Sequence, residues 1–175
     1  MKTDAAMPTG WTRRRWLRAL PAAAGAGWAA AATASPLPGA AIDWPALVAP
    51  DGRAVDPAGW KGVPLVVVFW ATYCAFCERH NGRIEQLHRT LDPARLRILS
   101  VALDRDVAAV QQYLRRHGYR FPVVLDGGQL RPRFTPRRVI PMTCTVGAGG
   151  QLLQCIPGEM AEDDVMDLAR LALKR

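Results

Sequence analysis

Eight residues decide most of what this chain can fold into. Val63-Pro64-Leu65-Val66-Val67-Val68-Phe69-Trp70 is a continuous apolar run rich in β-branched residues. A strand with no polar face has to be covered on both sides, so the run predicts a central strand of a buried sheet. Directly after it the period changes. Cys77, Ile84, Leu87, His88 and Leu91 recur at three- and four-residue steps, with Pro93 beyond them, so a helix opens near Cys74. Gly82 weakens that helix and is a candidate bend.

The remaining pattern extends this strand-to-helix passage. "LVAPDGRAV" reads as a short hairpin turning at Asp51-Gly52, and "LRILSVAL" as a second buried strand. Asp104 or Asp106 caps "VAAVQQYLRRHG", which Gly118 closes. Strand, helix and strand make a right-handed βαβ unit. "FPVVLD" is a further strand and "GGQLRPRF" a loop with a helical turn, while "PMTCTV" and "QLLQCI" form a hairpin across "GAGG". A closing helix starts near Ala161, acidic at its beginning and basic at its end.

The length of 175 residues, half of them hydrophobic, suits one domain and a tail. Much of the formal charge of +8 lies in that tail. Arg13, Arg14, Arg15 and Arg18 precede an uncharged Ala/Gly-rich run from Ala19 to Ile42, the anatomy of an export signal. Thr12-Arg13-Arg14-Arg15-Trp16-Leu17-Arg18 resembles the twin-arginine (Tat) pattern, and Ala32-Thr33-Ala34 offers a cleavage site. The expected organisation is a signal peptide over 1–34, a leader over 35–44 and a folded domain over 45–175. A retained signal would act as a membrane anchor, which Pro21 and the low hydrophobicity disfavour. Removing residues 1–34 takes away five basic residues and one acid, leaving +4. The rest is scattered in short arginine clusters without interleaved aromatics, so a nucleic-acid partner is not expected. Arg137-Arg138 stands apart because it lies just before Ile140-Pro141.

An exported chain meets an oxidising compartment, where thiols pair. Cys74 and Cys77, two residues apart at a helix start, are candidate redox partners. Unpaired backbone N–H groups and the helix dipole favour a thiolate at Cys74, and Cys77 lies one turn deeper, placed to resolve a mixed disulfide. A static staple and half a zinc site are the rival readings. Zinc wants about four ligands, and neither a second close pair nor suitably spaced histidines are present, so neither a metal nor another cofactor is expected. Cys144 and Cys155 flank the predicted hairpin. Pairing Val146 with Gln151 makes them diagonal neighbours, and pairing Gly147 with Leu152 makes them directly opposite; two thiols and a disulfide both remain open.

Phe69-Trp70-Ala71-Thr72-Tyr73-Cys74-Ala75-Phe76-Cys77, the upstream "LVAPDGRAV…GWKGVPLVVV" and the downstream Val139-Ile140-Pro141 with "TCTVGAGGQL" resemble the TlpA/ResA-like thiol-disulfide oxidoreductases of the thioredoxin fold. The resemblance covers about residues 45–173. It implies an α/β fold with a mixed four- to five-stranded sheet flanked by helices and an N-terminal β-hairpin extension. It implies an enzyme acting on protein disulfides, with Cys74 attacking and Cys77 resolving. A cis Ile140-Pro141 bond would lie against the cysteines, its backbone free to hold a client as an added strand. Trp70, Tyr73, Ala75, Phe76, Ile140 and Pro141 are the expected client-binding residues, Trp70 also packing beneath the turn.

Tat export would place the chain in the periplasm, where a monomer is expected, and the family implies work more as a reductase than as an oxidant. Its electrons would come from a membrane thiol donor, and cytochrome c maturation is among the duties of such proteins. Val68 stands where thioredoxins carry a buried acid, leaving proton transfer open; His80 and Glu78 are the candidates, His80 otherwise being a solvated surface histidine. Two other functions remain. A thiol peroxidase would polarise peroxide with Thr72 and an arginine beside Cys74, and a copper-binding maturation factor would use Cys74, Cys77 and His80.

Overall fold

The computed structural model describes residues 38–173, and the signal segment 1–34 lies outside the described residues. The apolar run forms β3, Leu65–Trp70, with all six residues buried. On one side β3 pairs in parallel with β4 (Arg97–Ala102), and on the other it runs antiparallel to β6 (Met142–Val146). β5 (Val123–Leu125) continues the sheet parallel to β4, and β7 (Leu152–Pro157) continues it antiparallel to β6. These five strands are the expected mixed core. The N-terminal hairpin, β1 (Leu47–Val48) and β2 (Ala54–Val55), joins the same sheet through Val48 opposite Leu125, giving the order β2-β1-β5-β4-β3-β6-β7.

Alternation along β3 feeds two cores. Val66, Val68 and Trp70 face the apolar residues buried by α1 (Ala75–Thr90), α2 (Val107–His117) and α3 (Glu162–Asp167), notably Cys77, Ile84, Val110, Tyr113 and Val165. Leu65, Val67 and Phe69 face the other way, onto Leu99, Val101, Leu130, Phe134 and Cys144, with Trp44 and Trp60 at the margin. Each such side chain contributes about 1.5–3 kcal/mol on leaving water, so β3 supports both layers at once. Helix α1 runs unbroken through Gly82. Gly118 adopts φ 66° at the end of α2, a left-handed cap whose N–H returns to Leu114 and Arg115.

Residues 39–42, assigned by sequence to the leader, are tied to the tip of β7. Gly39 and Ile42 donate to the carbonyls of Leu152 and Gly150, and Leu152 donates back to Ala40. Along its body the β6–β7 hairpin takes the second expected register, with the cysteines directly opposite, and its tip follows neither. Its tip pairs Val146 with Leu152, but a bulge at Leu153 brings Thr145 opposite Gln154 and Cys144 opposite Cys155. Cys144 and Cys155 form a disulfide between residues eleven apart in sequence. By restricting the unfolded chain, that link stabilises the fold by about 3 kcal/mol. The double variant Cys144→Ala/Cys155→Ala is therefore expected to unfold at clearly lower urea concentration than the oxidised protein, whereas an unchanged midpoint would mean that the bond adds nothing to stability.

Candidate active site

The chain leaves β3 at Trp70 and must reverse before entering α1. Asp104, just beyond β4, fastens that reversal. Its carboxylate accepts the Thr72 N–H at 3.1 and 3.2 Å and the Thr72 hydroxyl at 2.5 Å. The Trp70 carbonyl accepts the N–H of Leu103 at 2.9 Å. Of the two expected capping residues, only Asp106 caps α2, through Ala108 and Ala109. Below the turn, Trp70 is completely buried. Its indole N–H donates to the Ser100 hydroxyl at 2.5 Å, and its ring centroid lies 4.8 Å from that of Tyr113. Expected among the client-binding residues, Trp70 instead lies beneath the site, out of reach of a docking chain.

Cys74 is the N-cap of α1, and its Sγ accepts the Cys77 N–H at 3.2 Å. A sulfur thus takes the place of the usual capping oxygen, where an anion gains most from the helix dipole. Cys74 and Cys77 are disulfide-bonded. Cys74 is half-buried and Cys77 completely buried, so an external sulfur reaches the pair through Cys74. The Ile140-Pro141 peptide bond is cis, and the Ile140 carbonyl oxygen lies 3.9 Å from Cys74 Sγ. Pro141 is buried and Ile140 half-buried. Around them lies an apolar surface in which Tyr73 is 79%, Phe76 60% and Val139 51% exposed; Ala75 is also exposed.

The two candidates for proton transfer are separated. Glu78 is exposed on the α2 side, 3.8 Å from His117. His80 is completely buried, contrary to the expected solvated histidine. Its Nε2 lies 2.9 Å from the Thr143 hydroxyl, and its Nδ1 accepts the Met160 N–H at 3.4 Å. Thr143 is the β6 partner of Val68, so the imidazole interacts beside the strand position that lacks an acid. Outside it, Arg79 and Arg83 both bind Glu159, and Arg83 also donates to the Met160 carbonyl, locking α1 onto the segment after β7. Glu85 does the same for the opposite flank of α1, accepting the N–H groups of Arg120 and Phe121. The sequence offered Ser100 and Thr143 only as isolated polar residues in buried strands, and Asp104 only as a cap.

Burial lowers the His80 pKa to about 4; Arg83 acts in the same sense, and Glu159 opposes it. Unfolded, the ring binds a proton near pH 6.5. The unfolded chain therefore holds more protons between these values, and stability is lost as pH falls from about 6.5 through 4. The loss amounts to roughly 3 kcal/mol when complete. His80→Gln, which retains a group able to bond Thr143, is expected to flatten stability across that window in urea titrations at successive pH values. An unaltered pH dependence would contradict a buried neutral His80.

These features agree with what the chain is similar to. It is 26% identical over 121 residues to the thiol-disulfide oxidoreductase ResA of Halalkalibacterium halodurans, covering 69% of each chain. With ResA of Bacillus subtilis the identity is 24% over 121 residues, covering 69% of this chain and 68% of the other. The fold matches a crystal structure from Chlorobium tepidum described as a putative thiol:disulfide interchange protein DsbE, with TM-score 0.69, 21% identity and coverage of 80% and 98%. It also matches a secreted disulfide oxidoreductase of Mycobacterium tuberculosis, with TM-score 0.63, 22% identity and coverage of 74% and 95%. The AhpC/TSA family model matches residues 39–135. The fold is thioredoxin-like, and the chain belongs to the AhpC/TSA family.

Proposed function

We propose that the chain is an exported thiol-disulfide oxidoreductase that reduces protein disulfides through Cys74 and Cys77. The observation that carries this reading is the bonded cysteine pair at the start of α1, half-buried at Cys74 and sealed at Cys77, beside the cis Ile140-Pro141 bond. In the reduced protein the Cys74 thiolate attacks one sulfur of a client disulfide. A mixed disulfide forms and the client's other sulfur leaves as a thiolate. Cys77 then loses its proton and attacks Cys74 Sγ, releasing the second client thiolate and restoring the Cys74–Cys77 bond. Two electrons pass to the client for each cycle, and a thiol donor at the membrane must return them. Ile140, Pro141, Tyr73, Ala75 and Phe76 offer the docking surface, with the client backbone added beside Ile140.

His80 is the better placed of the two candidates to assist proton removal from Cys77, since both are buried and lie one helical turn apart. Its low pKa keeps it neutral at pH 7, and it can take that proton only by releasing its bond to Thr143 or Met160. Export rests on the twin-arginine-like N-terminus and on the description of the Mycobacterium tuberculosis protein as secreted. A periplasmic location follows from that export signal, and the reductase direction and duties of the cytochrome c maturation kind rest on the resemblance alone. Among the described residues no helix is long and apolar enough to cross a membrane.

The rival functions gain little from the geometry. Thr72 gives its hydroxyl to Asp104 and does not present it to Cys74, although the family match keeps peroxide consumption worth assaying. Copper binding would require His80 to give up bonds to Thr143 and Met160.

Two measurements test the proposal. Alkylation-trapped redox titration of the chain should show Cys74–Cys77 as a two-electron couple near the thioredoxin potential of about −270 mV. A value near −120 mV, that of strong oxidants, would reverse the direction. Cys77→Ser should accumulate a mixed disulfide through Cys74 when offered a disulfide-bonded client; if neither a couple nor an adduct forms, the exchange reading fails.

A further inference from the structure

We propose that the client segment docking beside Cys74 is acidic, and that Arg137 and Arg138 select it. This deepens the thiol-disulfide exchange reading and rests on it. The loop from β5 to the cis proline, residues 126–141, contains Arg131, Arg133, Arg137 and Arg138 against one acid, Asp126, whose carboxylate accepts the N–H groups of Leu130 and Arg131. Arg133 is committed to Asp43, whose carboxylate and carbonyl it binds. Arg137 and Arg138 are exposed, and among the described residues neither forms an ion pair.

Of the other charges close to the site, Glu78 is exposed on the α2 side beside His117, and the rest are engaged. Arg79 and Arg83 share Glu159, and the Asp104 carboxylate is taken up by Thr72. Arg138 is two residues from Ile140, whose carbonyl oxygen is 3.9 Å from Cys74 Sγ. Two extended residues span about 7 Å, which keeps the backbone of Arg138 within about 7 Å of Ile140, and both arginines are exposed on this stretch. A chain lying beside Ile140 meets an apolar centre of Tyr73, Phe76 and Val139 with a cationic flank on the proline side. Carboxylates match a guanidinium fork geometrically. Exposed charges of this kind act mainly on the rate of encounter, so discrimination should appear in the second-order rate constant.

The test uses the reduced full-length chain and three peptides, each with one internal disulfide and differing only in Glu, Gln or Lys at the positions flanking the cysteine. Hydroxyethyl disulfide serves as an uncharged reference for the exchange chemistry. At low ionic strength the Glu peptide should be reduced roughly tenfold faster than the Lys peptide. High salt should bring that ratio toward one, and so should R137Q/R138Q. A variant with the same change in net charge at the opposite end of the parallel strands, R95Q/R120Q, should keep the ratio. Equal rates for the three peptides while hydroxyethyl disulfide is still reduced would overturn charge selection and leave the exchange reading standing. A ratio that survives in R137Q/R138Q would overturn the assignment to these arginines. Failure to reduce any of the disulfides would overturn both readings together.

Discussion

The contact between the Cys77 N–H and Cys74 Sγ joins the fold to its chemistry. It closes the first turn of α1 with a sulfur, at the point where the helix presents its unpaired N–H groups and positive dipole end. A thiolate in that place gains stabilisation that a thiol elsewhere in the chain lacks. The sulfur remains there only while the reversal between β3 and α1 keeps its shape, and two contacts hold that shape. Asp104 grips Thr72 from the end of β4, and Trp70 is pinned below by Ser100 and Tyr113. Both come from neighbours of β3, so the buried sheet sets the position of the cysteines.

Buried polar groups on α1 extend the same principle. His80 and Glu85 face opposite neighbours, His80 reaching Thr143 and Met160 while Glu85 takes the N–H groups of Arg120 and Phe121. Each would be costly inside a core without a partner. With partners they fix the helix against β6 on one side and against the α2–β5 connection on the other. The cis proline immediately precedes β6, and so the same helix that carries the cysteines is bonded to the strand that follows Pro141.

Much of this was legible in the sequence because its signals are local. The unbroken apolar run of β3, the change of period at Cys74, Asp106 as a cap and Gly118 as a stop each act within a few residues. The hairpin register was not legible, since a bulge at Leu153 shifts the two strands and nothing in "QLLQCI" marks which leucine is extra. The burial of His80 was also missed. A histidine on a helix reads as solvated until its partners, 63 and 80 residues away, are brought to it. Asp104 was legible as a residue type and misread in role, because Asp106 competes for the same cap and Thr72 lies 32 residues upstream.

The central claim is that the start of α1 makes Cys74 the reactive thiolate and leaves Cys77 protected. Its most direct test is the rate of iodoacetamide alkylation of the reduced protein as a function of pH, with each cysteine followed by peptide mass. Cys74 should react first, with a half-maximal rate below the ordinary thiol value of about 8.5, and Cys77 should lag at every pH. Equal rates at the two cysteines, or a Cys74 that titrates like a free thiol, would contradict the account.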